Sequence, residues 1–101
     1  MNKSLKTKLW VNKVSIELNE FTDEFLAQIT VGAVTTLKGV DYIRKVEIGL
    51  DRGDVSITVN GEEVTLTPFP NDVIANTLTG MVSTLKGIEK IDNMDITVEA
   101  E

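Results

Sequence analysis

The chain has no cysteine and no histidine, and only five aromatic residues: one Trp, one Tyr and three Phe. Without imidazole or thiol, His-based acid–base catalysis, thiol nucleophiles and most transition-metal sites are excluded. The absence of cysteine also leaves the redox compartment open, so the cytoplasm is the default expectation. No stretch approaches the roughly 18 apolar residues of a membrane helix. Lys3, Lys6 and Lys8 open the chain as a signal peptide would, but no apolar run follows them. Positive charge is scarce too. Ten Lys and Arg face sixteen Asp and Glu, for a net charge of −6. The Lys residues after the first few are scattered, whereas neutralising phosphates needs clustered cations. Neither nucleic acid nor a membrane is expected as a partner. Glycines stand singly, without a phosphate-cradling loop, and no cofactor is expected.

What the sequence does have is self-similarity. Sliding Leu9–Asp51 onto Ile57–Glu99, an offset of 48, gives 13 identities in 43 pairs without a gap. About 3 would arise from ordinary residue usage. Val11-Asn12 meets Val59-Asn60, Phe21 meets Phe69, Gly32 meets Gly80, and Thr36-Leu37-Lys38-Gly39 meets Thr84-Leu85-Lys86-Gly87. The 101 residues form one expected domain, long enough to bury a core unaided, with repeats over about 7–51 and 55–99.

Each repeat reads as strand, strand, helix, strand. Val55, Ile57 and Val59 alternate up to Asn60-Gly61, the strongest short hairpin signal, and Val64 and Leu66 follow. Leu9, Val11, Asn12-Lys13, Val14, Ile16 and Leu18 repeat the pattern, which places Trp10 opposite Ser15 and Lys8 opposite Glu17. A helix is predicted from about Thr22 to Lys38, opened by Thr22-Asp23-Glu24, and another from about Pro70 to Lys86. Gly39 and Gly87 are the expected left-handed residues that end them. Third strands follow at Lys45–Leu50 and Asn93–Glu99.

Polar residues at alternate strand positions, among them Lys8, Asn12, Glu47, Thr58, Asp95 and Thr97, leave one sheet face wet. The expected fold is therefore α+β: a ββαβ-ββαβ chain with a six-stranded sheet and both helices on one face. Each helical crossover is expected to join parallel strands. The alternative is a closed six-stranded barrel of interleaved ββαβ units.

Little of this carries chemistry. Asp92, Asn93 and Asp95 are the densest oxygen-ligand group, yet they lack the spacing of a calcium loop and read as a strand entry. Arg52-Gly53-Asp54 reads as a hairpin turn. Two features go further. If Leu26, Ala33 and Leu37 face the sheet, Gln28, Val31, Gly32 and Thr35 face outward. The second helix presents Asn76, Thr79, Gly80 and Ser83. Neither face has a charge at its middle, and each spends a glycine where Ala would be about 1 kcal/mol better. Contact with another chain would explain this, and so would contact of the two helices with each other. The second feature is Trp10, sent to the wet face where the other repeat has Thr58. These residues point to a non-enzymatic protein-interaction or homo-oligomerisation module, with a protein partner or a second copy as ligand. It would use the helix layer or a sheet edge. The alternative is a small-ligand or regulatory domain with its pocket near Trp10 or between the repeats. An enzyme using only carboxylates and Lys ranks third.

Overall fold

A computed structural model describes residues 5–37, 42–85 and 87–100. The elements in chain order are β1 (Leu5–Val11), β2 (Val14–Ile16), α1 (Glu20–Thr35), β3 (Lys45–Asp51), β4 (Asp54–Val59), β5 (Glu62–Val64), α2 (Pro68–Val82) and β6 (Asn93–Ala100). The six strands make one open sheet in the order β2-β1-β6-β3-β4-β5, so the closed barrel is not formed. Every neighbouring pair is antiparallel.

That overturns the parallel crossovers expected from the sequence. Counting directions across the sheet makes β3 antiparallel to β2, and β6 antiparallel to β5. The reason is where the third strands go. β3 does not return to the strands that precede it; it lies between β4 and β6. Likewise β6 lies between β1 and β3. Both partners of each third strand therefore come from the opposite half of the chain, and the handedness rule for parallel crossovers has nothing to act on.

The register is even. Leu9 pairs with Ile96, and Ile57, 48 residues after Leu9, pairs with Ile48, 48 residues before Ile96. At the centre Ile48 and Ile96 face each other, flanked by Val46↔Val98 and Leu50↔Met94. One face of these strands supplies Leu9, Val11, Val46, Ile48, Leu50, Ile57, Val59, Met94, Ile96 and Val98 to the core, and the helices cover it with Leu26, Ala27, Val34, Ile74, Ala75, Leu78 and Val82. An antiparallel sheet tolerates water on its other face, which the polar alternation requires.

Three tight turns fix the hairpins. Asn12, Lys13, Arg52 and Asn60 have positive φ (51°, 71°, 50° and 52°), as do Gly53 and Gly61. This is the left-handed pair of residues that a two-residue hairpin needs. The two asparagines do more than turn the chain. Asn12 Oδ1 accepts from the backbone N–H of Asp92 (2.8 Å) and Asn93 (3.0 Å), and its Nδ2 donates to the Lys90 carbonyl (2.7 Å). Asn60 does the same for the segment entering β3, accepting from Arg44 N–H (2.7 Å) and Lys45 N–H (3.0 Å) and donating to the Tyr42 carbonyl. Each hairpin tip thus clamps the entrance of a strand from the other half of the chain.

The helices begin two residues earlier than expected. The N-cap of α1 is Asn19, whose Oδ1 accepts from Thr22 N–H at 2.8 Å, while Thr22 is buried. The matching cap of α2 is Thr67, which makes no side-chain cap bond. The donor that Asn19 uses is replaced there by Pro70, which has no N–H. The first turns are also tied to the sheet. Asp23 Oδ1 accepts from Thr7 N–H at 3.0 Å, and Asn71 Oδ1 accepts from Val55 N–H at 2.8 Å. Thr7 and Val55 lie in rows at opposite ends of the sheet, with Thr7 beside Val98 and Val55 beside Leu50. The two helices therefore start from opposite ends.

At the far end the cap expected at Gly87 does not end its helix. α2 stops at Val82 and continues as tight turns, with Thr84 N–H on Met81 O and Leu85 N–H on Val82 O. Gly87 is left-handed (φ +85°) but closes a later turn rather than the helix. Its counterpart Gly39, together with Lys38, Val40, Asp41 and Lys86, lies outside the described residues.

Candidate functional site

Successive residues of a helix are turned by 100°, so the faces of α1 and α2 follow from their buried residues. In α1 the inward face is Thr22, Leu26, Ala27, Thr30 and Val34. Opposite it runs a line of Phe21, Phe25, Gln28, Gly32 and Thr35. In α2 the inward face is Ile74, Ala75, Leu78 and Val82, and the opposite line is Phe69, Val73, Asn76, Gly80 and Ser83. All ten of these outward residues are exposed; Val31 and Thr79 sit half-buried at the flank.

Aromatic residues dominate one end of each line. Phe21 is 72 % exposed and Phe69 76 %, with Phe25 and Val73 at 44 % and 45 %. The Phe21 and Phe25 rings stack at 5.6 Å between centroids. Because the helices start from opposite ends of the sheet, the two aromatic ends lie at opposite ends of the layer. The other ends are small. Nothing comes within 4 Å of a Cβ placed on Gly32 or Gly80. The helices touch one another, but not at these glycines, so contact between α1 and α2 does not account for them.

The hydroxyls beside the glycines are already used. Thr35 and Thr36 donate to the Gly32 and Ala33 carbonyls at 2.9 and 2.7 Å, and Ser83 and Thr84 donate to the Gly80 and Met81 carbonyls at 2.9 and 2.7 Å. A hydroxyl turned back onto its own helix offers no donor to water and costs less to desolvate. The outer layer is thus apolar at one end of each helix and uncharged along its line, with the amides of Gln28 and Asn76 at its middle and the hydroxyls beside the glycines turned back onto the helix.

Trp10 does not belong to this surface. It is half-buried on the opposite, wet face, between Ser15 of β2 and Asp95 of β6. The sequence-predicted residues therefore divide between two faces of the molecule. Beside Asp95 the wet face dips at Gly49, where a Cβ would stand 2.9 Å from Ser56 Oγ and 3.5 Å from Asp95 Oδ1. The hollows around it are lined by charges of both signs, including Lys13, Asp51, Arg52 and Asp54, and open to solvent. Among the described residues no three acidic side chains converge as a metal site would require. Asp92 instead lies at a strand entry, with its N–H on Asn12 and its carboxylate 3.7 Å from Lys90 Nζ. Among the described residues no helix is long and apolar enough to cross a membrane.

No family model, curated protein or solved structure significantly matches the chain.

The exposed Phe21 and Phe69 were missed at the sequence level, although their identity across the 48-residue offset was in view. The predicted helices began at Thr22 and Pro70, one residue after each Phe, and so left both off the helical faces. The correct cap at Asn19 puts Phe21 in line with Phe25, Gln28 and Gly32.

The sheet edges are less available. β2 and β5 are three residues long, and short edge strands are a usual defence against further pairing. Beyond them, the outer edges of β1 and β4 have their Thr7 and Val55 N–H groups taken by Asp23 and Asn71.

Proposed function

We propose that this chain is a single domain made by tandem duplication of a ββαβ unit over about 7–51 and 55–99. We further propose that it works as a non-enzymatic protein-docking module in the cytoplasm, binding through the outer face of its two helices. The observation that carries the proposal is the pair of outward Phe residues on otherwise uncharged helix lines. Each end of the layer exposes a small apolar pair four residues apart on one helix face, Phe21 with Phe25 and Phe69 with Val73, and aromatic side chains are enriched at interface centres. The repeated glycine fits the same use, since it lets another backbone approach closely at a cost of about 1 kcal/mol in helix stability. The stoppered edges favour the helix layer over strand addition.

Cross-linking in the cell tests this. A photo-reactive residue at Gln28 is expected to capture protein. The same group at Thr58, on the wet sheet face, is expected to capture none above background. Equal silence at both positions would remove the docking role.

A further inference from the structure

We infer that the partner of the helix layer is a second copy of this chain, packed face to face so that the aromatic end of each helix lies over a glycine end of the other copy. This rests on the docking role above and adds who docks. A closed contact between identical chains uses one patch that complements itself. The helix layer carries both halves of such a contact: projecting Phe21, Phe25, Phe69 and Val73, and the open space at Gly32 and Gly80. Since α1 and α2 start from opposite ends of the sheet, the projections and gaps alternate around the layer. A two-fold axis in the plane of the layer, along or across the helices, then sets each aromatic end over a glycine end.

Charge points the same way. A chain of net charge −6 repels its own copy, so self-contact calls for a surface free of charge at its centre. The two outward helix lines provide one, whereas the wet sheet face brings Lys8, Glu47, Asp51, Asp54 and Asp95 to the front. Size is adequate as well. The molecule measures 36 × 35 × 18 Å, and its broad face exceeds the roughly 800 Å² per partner of a standard interface. Phe21 and Phe69 alone, at 72 % and 76 % exposure, offer about 300 Å² of that on ring areas of roughly 200 Å².

Sedimentation equilibrium of the full chain over a range of concentrations is the test. The expected mass is twice 11.1 kDa, returning to the single-chain value in Phe21→Glu/Phe69→Glu. Gly32→Leu/Gly80→Leu is the second variant. It fills the gaps with a good helix former where no neighbour is disturbed, and it too is expected to be a folded single chain by circular dichroism. A wild-type chain of single mass at every concentration overturns the inference, and so does a Gly32→Leu/Gly80→Leu variant that pairs unchanged. Single mass together with capture of other proteins from Gln28 removes only the second copy as partner. Single mass with no capture from Gln28 removes the docking role as well.

Discussion

Asn60→Ala and Asn12→Ala are each expected to cost about 2.5 to 4 kcal/mol of folding stability. Two contributions add. Each asparagine holds its backbone near φ +50°, where Ala is strained by roughly 1 kcal/mol or more. Each also makes three hydrogen bonds to a strand entrance from the other half of the chain, at about 0.5 to 1 kcal/mol net apiece given their exposure. A domain of this length has about 5 to 15 kcal/mol in all, so either loss is large. Asn60→Gly separates the contributions, because Gly accepts the backbone and lacks the amide. It is expected to recover about 1 kcal/mol relative to Asn60→Ala in urea denaturation. If Ala and Gly variants both stay within about 0.5 kcal/mol of wild type, the range of an ordinary surface change, the clamps carry no stability.

Thr30→Val should act in the opposite direction, raising stability by about 1 to 2 kcal/mol. Thr30 is 0 % exposed, and its hydroxyl has no hydrogen-bond partner among the described residues. The usual escape for a helical Thr, a bond back to a carbonyl of the preceding turn, is not made. Leaving such a group dry costs about 1 to 3 kcal/mol. Val keeps the branched shape and differs little in helix propensity. The second helix has Leu78 at the matching place, already apolar. A higher melting temperature in a thermal scan is the expected reading. A lower one would mean the hydroxyl has a partner after all.

Much of the architecture is legible in the sequence, for reasons tied to local chemistry. Alternation such as Val46-Glu47-Ile48 and Ile57-Thr58-Val59 fixes a sheet with one wet face. Asn60-Gly61 declares its hairpin, and the offset of 48 carries that reading to Asn12-Lys13, where Lys13 holds a φ of 71° that its side chain does not favour. Strand direction was not legible. Whether β3 lies beside β1 or beside β4 depends on pairing between residues as far apart as Ile48 and Ile96, and no local signal encodes it. Helix starts failed for a different reason. Thr22-Asp23-Glu24 imitates a capped first turn, but those residues serve as a buried Thr, a strand clamp and an exposed acid, while Asn19 does the capping.

That two-residue error mattered for the candidate site. The uncharged outer faces and their glycines could be read from helical spacing, since Gln28, Gly32, Asn76 and Gly80 fall outward whichever residue starts the helix. Phe21 and Phe69 needed the correct start. The asparagine clamps were hidden too, because the identity of Asn12 and Asn60 was fully explained by the turn they make.

The use of the outer helix face is tested most directly by cross-linking yield from Gln28 in a Gly32→Glu/Gly80→Glu double variant, taken with its melting temperature. Nothing lies within 4 Å of either added Cβ, and Glu is a better helix former than Gly by up to about 1 kcal/mol per site. The fold should therefore melt at least as high as Phe21→Glu/Phe69→Glu, which lacks the same contact. Two charges buried without partners should nonetheless abolish docking, dropping the yield to that of the Thr58 control. A double variant that melts normally and still cross-links like wild type would contradict the assignment of this face.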